Sequence, residues 1–600
     1  MQLIIKVLIG KHLIVSMKKI LSLVLVFACL LGSMAVLSAC GEPEDDGAEI
    51  NVYLGEPVFD FDPTDYYTSP NAEQLMSLIF EPLFALDEDG DLKKAAADKY
   101  EVDEEKRTIT IELRETYWSD GVRVKGEDYV YAWREVLLNP NNPNPAAALL
   151  FDIENAVEVK NGTVSSALLG ITAKLYELTI TYREGADYER LLKNLAAIAT
   201  SPLRQDTVTL ASTYWSKNTS TIVTNGPFSV TSLDYGIGSF EVSRNVGYHQ
   251  SPSLKDYDNE VNPGKIVSTF SVAGSDVAFT YADLENKTVF FIGDASLEER
   301  AAKADEAEYA DDLSTYTYVF NTEKAPFNNK DVRRALSLAV DRDAIIEAIT
   351  FGKAATGFLP EIVGESIYTK KVKQELIGTS AKLDEAKALM SGVTLSAQDK
   401  NITLTVNDDA ESIAIANIVK ANWAELGFNV TVKAIDTKTV TVMDAATNEK
   451  VEITDSALQV ALKEAGYGVR DFDVLAIDWQ LYSRDAFVGL AAFTTTMNGN
   501  GADLKSHTAV LRKNISGWTN EQYDAYVSAA FTATDDDVRA ENLRLAEALL
   551  IEESPIVPLV YNQTFAFVSK DLSKVELNGL GNFVFTDTKQ KNYKDYISED

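Results

Sequence analysis

The chain has 600 residues, 46% of them hydrophobic, and a formal net charge of −36. Such a charge argues against nucleic-acid binding, which needs basic patches for phosphates, and suits a strongly solvated surface. With only 2 Cys (Cys29 and Cys40) and 3 His (His12, His249 and His507), a disulfide framework, a zinc site or a histidine-dependent hydrolase has little to be built from.

The N-terminus reads as an export signal. Lys18 and Lys19 form a basic start, Ile20 to Val36 an apolar run, and Leu37-Ser38-Ala39 a small-residue stretch before Cys40. Translation from Met17 would give an ordinary signal start and make residues 1–16 an upstream extension. Leu37 to Cys40 resembles the lipobox of bacterial lipoproteins, which implies cleavage before Cys40 and lipidation of its thiol. Two acyl chains anchor stably where one binds reversibly. The alternative is an uncleaved membrane helix, since residues 20–36 are just long enough to span. The run stops at Cys40, however, and the following GEPEDDGA, residues 41–48, suits a flexible tether. Loss of the leader's four lysines takes the charge to −40.

The body is too long for one core, so two or three lobes are expected. Its pattern is mixed α/β. Thr108 to Arg114 alternates, with Ile109, Ile111 and Leu113 on one face, and Glu104 to Arg107 separates it from a preceding strand, predicting a β-hairpin. Ser119-Asp120-Gly121 marks a turn. Glu127 to Leu138 is predicted as a helix with Val130, Trp133 and Leu137 on one face, stopped by NPNNPNP at 139–145. A helix from about Asp331 carries an apolar stripe, with Asn328 or Asn329 as its cap. Ile402, Leu404 and Val406 then alternate, Ile415 to Leu426 recur at helical spacing up to a capping Gly427, and Phe428, Val430 and Val432 alternate again. This predicts a parallel strand–helix–strand unit. There is no G-x-S-x-G, H-E-x-x-H or G-K-[ST] motif.

Several blocks, in order, resemble the oligopeptide- and dipeptide-binding proteins of ABC importers, the bacterial extracellular solute-binding protein family 5. They are Phe80-Glu81-Pro82-Leu83 with Asp89-Gly90; Leu113-Arg114, Trp118 to Gly121 and Glu127 to Val130; and Asn225 to Phe228 with Arg244-Asn245 and Tyr248. Tyr318 to Phe327, Asp331 to Leu336 and Asp341-Arg342 follow, then Ser516-Gly517-Trp518 with Tyr523-Asp524, and Pro555 to Leu559. The resemblance spans roughly Ile50 to Tyr561. It implies a two-lobed, type II periplasmic-binding-protein fold with a hinge and an additional α/β domain. The implied division is a signal at 1–39, a tether at 40–48, a discontinuous first lobe at 49–85, 200–312 and 560–600, an extra domain at 86–199 and a second lobe at 313–559.

The resemblance also implies a function: hinge closure over a captured peptide, held by its main chain, and delivery to a permease driven by a partner ATPase. No cofactor or metal is expected, and the implied state is a lipid-anchored extracytoplasmic monomer. The ligand-side residues it implies are Asn51 and Tyr53 on a first strand, Thr315, Tyr316 and Thr317 on a strand entering the second lobe, and Trp479. Alternation places Thr315 and Thr317 on one face and Tyr316 and Tyr318 on the other. Peptide-binding relatives carry an Asp three residues after that tryptophan, paired with the peptide ammonium. Here Tyr482 stands there, and the nearest acids are Asp478 and Asp485. Either Asp485 takes the role, or the amine is met elsewhere, or the cargo is a modified peptide, metal chelate, opine or sugar. A secreted hydrolase built on paired carboxylates is the alternative of a different class, and an adhesive lipoprotein that has lost transport is a third.

Overall fold

A computed structural model describes residues 47–55, 58–65, 70–211, 215–235, 237–249, 261–270, 279–363, 375–443, 450–502 and 509–596. Cys40, the export signal and His507 lie outside them.

One mixed sheet organises residues 48–600. Its principal strands are β1 Glu49–Tyr53, β2 Phe228–Asp234, β3 Ser239–Arg244, β4 Lys265–Thr269 and β5 Phe291–Ile292. They continue with β6 Glu308–Phe320, β7 Asn401–Asn407, β8 Asn429–Ile435, β9 Val474–Gln480 and β10 Ile556–Val568. The spatial order is β8-β7-β9-β6-β10-β5-β1-β4-β3-β2. The two 13-residue strands β6 and β10 lie side by side at the centre and belong to both halves of the sheet. Their antiparallel ladder is interrupted twice, between Asp311 and Thr315 and between Tyr316 and Thr317.

The predicted strand–helix–strand unit is present. β7 and β8 are parallel, in register from Asn401 opposite Asn429 to Asn407 opposite Ile435. Helix Ala410–Ala424 joins them, with Ile415, Val419 and Trp423 buried and Gly427 at φ +82° beyond its end, where only glycine turns without strain. The helix from Asp331 runs Lys330–Leu338, and Asn329 caps it by accepting from Asp331 N–H.

The predicted hairpin pairs Ala97–Asp103 with Thr108–Leu113 inside a separate four-stranded sheet. The helix expected over Glu127 to Leu138 differs from the expectation. Gly126–Val130 is α-helical, then Tyr131–Leu137 widens into a π-helix, with Leu138 N–H bonding five residues back to Trp133. Beyond it the buried Lys160 ammonium donates to the carbonyls of Leu137, Asn139 and Asn142, satisfying acceptors that the Pro-interrupted segment cannot pair with itself.

The sequence blocks mostly hold this scaffold together. Trp118 donates its indole N–H to Asp128, which also accepts from Lys125 N–H at the start of its helix. Asn225 exchanges two bonds with the Glu81 backbone, and a Cβ on Gly226 would lie 2.5 Å from the Ile79 carbonyl carbon. The buried Arg333 and Arg342 guanidinium groups donate to Glu553 and Pro558 carbonyls.

Candidate functional site

A cavity of about 560 Å³ opens where the carboxyl ends of the parallel strands β1, β7 and β8 meet the central strands. Crevices beyond strand carboxyl ends, where strand order changes direction, are where open α/β sheets take ligands, and the volume falls within the ~300–1,000 Å³ of small-ligand sites. β1 contributes Tyr53, with Leu54 and Gly55 following it. The segment after β7 contributes Asn407 to Ser412, including the first turn of helix Ala410–Ala424. β6, β9 and β10 supply Asp312 and Tyr316, Ala476 and Asp478, and Asn562 to Phe565.

The floor is a polar network at the first ladder interruption. Asp312 accepts from Leu313 N–H at 2.6 Å and from the Ser314 hydroxyl at 3.0 Å. Asn562 donates to Ser314 Oγ at 2.8 Å and to Asp478 Oδ1 at 2.7 Å. Burial pushes the Asp312 carboxyl up to about 6, against the opposing pull of its two hydrogen bonds. Burial also raises Asp478 well above the usual carboxylate range; Asn562 pulls it down, while Glu411, Asp409 and Asp312 push it further up. Neither carboxylate has a lysine or arginine partner among the described residues.

Ion pairs connect the cavity's opposite rims. Lys217, ahead of β2, lies 3.0 Å from Asp60 and 2.7 Å from Asp455, which precedes helix Ala457–Gly466. From that helix Lys463 reaches Asp60 at 3.2 Å and also pairs with Asp65. On another rim Arg300 pairs with Asp294 at 2.6 Å and with Glu411 at 2.8 Å. Asn144 props this region by donating to the Thr64 and Asp65 carbonyls.

Of the residues singled out in the sequence, Tyr53 and Tyr316 line the cavity. The others stand elsewhere. Asn51 is exposed on β1, opposite Val267. Thr315 and Thr317 are fully buried on the other face of β6, and Thr315 donates to Phe358 O. Trp479 is 1% exposed, stacked on Phe493 at 4.6 Å and edge-on to Phe358 at 5.6 Å. Tyr482, at φ +60°, is buried in the main core.

Asp485 does not reach the cavity. It caps helix Ala486–Ala491 and meets Arg539 at 2.9 Å and Arg190 at 3.6 Å. Burial alone would raise its carboxyl; the two guanidinium charges, with hydrogen bonds from Arg539 and the Phe487 N–H, outweigh that and hold it below the usual range. The acid that does face the cavity is Asp478, one residue before Trp479. Period-two alternation carried that signal, because a packed Trp479 sends Asp478 to the opposite face.

Residues 91–501 match the model of the bacterial extracellular solute-binding proteins, family 5. The chain belongs to that family. Its members bind solutes outside the cytoplasm and are not enzymes. The chain is 24% identical over 520 residues to the oligopeptide-binding protein OppA of Bacillus subtilis, spanning 84% of this chain and 86% of that one. It is 26% identical to the dipeptide-binding protein DppE of the same organism, spanning 84% and 85%. Among solved structures, Haemophilus influenzae OppA in complex with RPPGFSPFR superposes with a TM-score of 0.71 at 20% identity, covering 91% of this chain and 99% of that one. The fold is therefore the two-lobed type II binding-protein fold with an additional α/β domain.

Proposed function

We propose that this protein is the lipid-anchored capture subunit of an ABC importer for peptides, closing two lobes over its cargo and passing it to a permease. The observation that carries the reading is the cavity over β6 and β10, in a family member whose relatives are named as oligopeptide- and dipeptide-binding proteins across more than four-fifths of their length. In this reading the lobes follow the division 49–85, 200–312 and 560–600 against 313–559, with 86–199 as the added domain, and the long strands are the hinge. Tyr53 and Tyr316 contact the bound chain. Asp478, rather than Asp485, meets its ammonium group, a charge-assisted bond that sets orientation.

Three measurements test this. Native mass spectrometry of the purified protein should show peptides released on denaturation, and calorimetry should show saturable one-to-one peptide binding. Absence of both sinks the capture reading. Cys40→Ser should abolish lipid labelling and release the protein from membranes; unchanged labelling sinks the anchor.

A further inference from the structure

The cavity walls are predominantly acidic. Among the described lining residues twelve are Asp or Glu, and Arg300 is the single Lys or Arg. Five of the twelve are engaged by Lys217, Lys463 or Arg300 across the rims. No salt bridge to a described residue neutralises Asp312, Asp408, Asp409, Asp436 or Asp478. Asp312 is only 8% exposed, and a buried carboxylate without a counter-charge is costly unless something supplies one. The hydroxyl of Tyr316, 7% exposed and lining the same cavity, has Ser412 beside it yet completes no hydrogen bond of normal geometry. So this part of the wall presents carboxylates without a salt-bridge partner among the described residues and a hydroxyl without a hydrogen bond of normal geometry.

The acids do not converge on a point. No group of three or more His, Cys, Asp or Glu side chains among the described residues is placed to hold a metal ion. They are spread from the Asp312–Asp478 floor to Asp408 and Asp436 beyond the ends of β7 and β8. Separated negative charges along a cleft match separated positive charges along an extended ligand.

Resting on the capture reading, we propose that this site selects cationic peptides, those with lysine or arginine side chains besides the terminal ammonium, and rejects anionic ones. The shared chemistry is an extended chain bearing several ammonium or guanidinium groups, which a polyamine also offers. Burial together with Asp65 and Asp60 pushes the Asp62 carboxyl up to about 7, and Asp312 lies near 6. A bound cation favours the ionised form of both.

The test is calorimetry on the purified protein with three hexapeptides of one backbone sequence, each with a free amino terminus, carrying two lysines, two glutamines or two glutamates. Spermidine is a fourth titrant. The lysine peptide should bind at least about tenfold tighter than the glutamine peptide, the glutamate peptide should bind weakest, and high salt should narrow the gaps. Asp436→Asn and Asp408→Asn, at exposed positions that tolerate the change, should each reduce the lysine advantage. Equal affinity for the three peptides, or a preference for glutamine or glutamate, overturns charge selection while leaving peptide capture standing. Spermidine binding without any peptide binding supports the cationic class and overturns peptide capture. Binding of none overturns both.

Discussion

At the scale of single residues, neighbouring carboxylates do opposite work according to what faces them. Asp485 is a structural ion. Asparagine caps a helix as well as aspartate, so Asp485→Asn removes the charge while keeping the cap. It leaves Arg539 and Arg190 partly uncompensated, a loss of about 3–5 kcal/mol for a buried pair. A clearly lower melting temperature with unchanged peptide affinity is expected in thermal denaturation and calorimetry. Asp312 behaves the other way. Its carboxyl is raised from 3.8 to about 6 by burial, so its contribution to stability is fully present below 3.8 and is lost as pH rises through 6, a difference of roughly 3 kcal/mol. Around it stand Ser314 Oγ, Leu313 N–H and, through Asn562, Asp478. The ligand-free protein should gain melting temperature as pH is lowered from about 8 to about 5. Asp312→Asn should flatten the part of that rise that sets in below about 6. An unchanged profile in the variant would show that the carboxyl titrates normally.

Legibility in the sequence also divides at this scale. Alternation put Thr315 and Tyr316 on opposite faces of their strand, and the structure keeps them there. It could not say which face meets the cavity, because that depends on β9 and β10 arriving from more than 150 residues away. Asp485 could have been recognised as a cap from its place ahead of a short apolar helix. The family position at Tyr482 drew attention downstream of Trp479, when the acid facing the cavity is one residue upstream.

At the scale of elements, the sequence blocks prove to be staples between segments. Gly226 is the tightest: a methyl group there would meet Ile79 and Phe80 backbone atoms at 2.5–2.8 Å. No flexible side chain can yield, so Gly226→Ala should force Asn225 off the Glu81 backbone. A loss of about 1–3 kcal/mol or more is expected, read as a lower denaturation midpoint. The strand–helix–strand unit was legible because its apolar spacing and its terminal glycine are local. The π-helical turn at Tyr131–Leu137 was not, since nothing in its own spacing marks it and the ammonium that serves its last carbonyl comes from Lys160.

At the scale of the molecule, discontinuity hid most of the architecture. β1, β5 and β10 lie together although they come from the start, middle and end of the chain, and only resemblance to a family could connect them beforehand. The ion pairs across the rims were equally invisible. They tie segments on different sides of the cavity together, so Lys463→Gln, which releases Asp60 and Asp65, should enlarge the ligand-free radius of gyration in small-angle scattering. Saturating peptide should restore it. An identical ligand-free value would mean that these pairs do not govern the opening.

The interruptions in the β6–β10 ladder have a mechanical consequence. A continuous ladder resists sliding and bending together, because both strain the same bonds. Here the paired stretches on either side, Glu308 to Asp311 and Thr315 to Val319, fix the two strands against slippage. Between them Asp312 to Ser314 leave the β10 ladder and are held instead by Leu481 N–H on Leu313 O and by Asn562 on Ser314 Oγ. In the proposed capture cycle, bending at this break would leave the register of the flanking stretches unchanged, so closure would bring the same wall residues back to the same places. In that reading, fidelity of the site from one capture to the next is set by a flaw in the ladder.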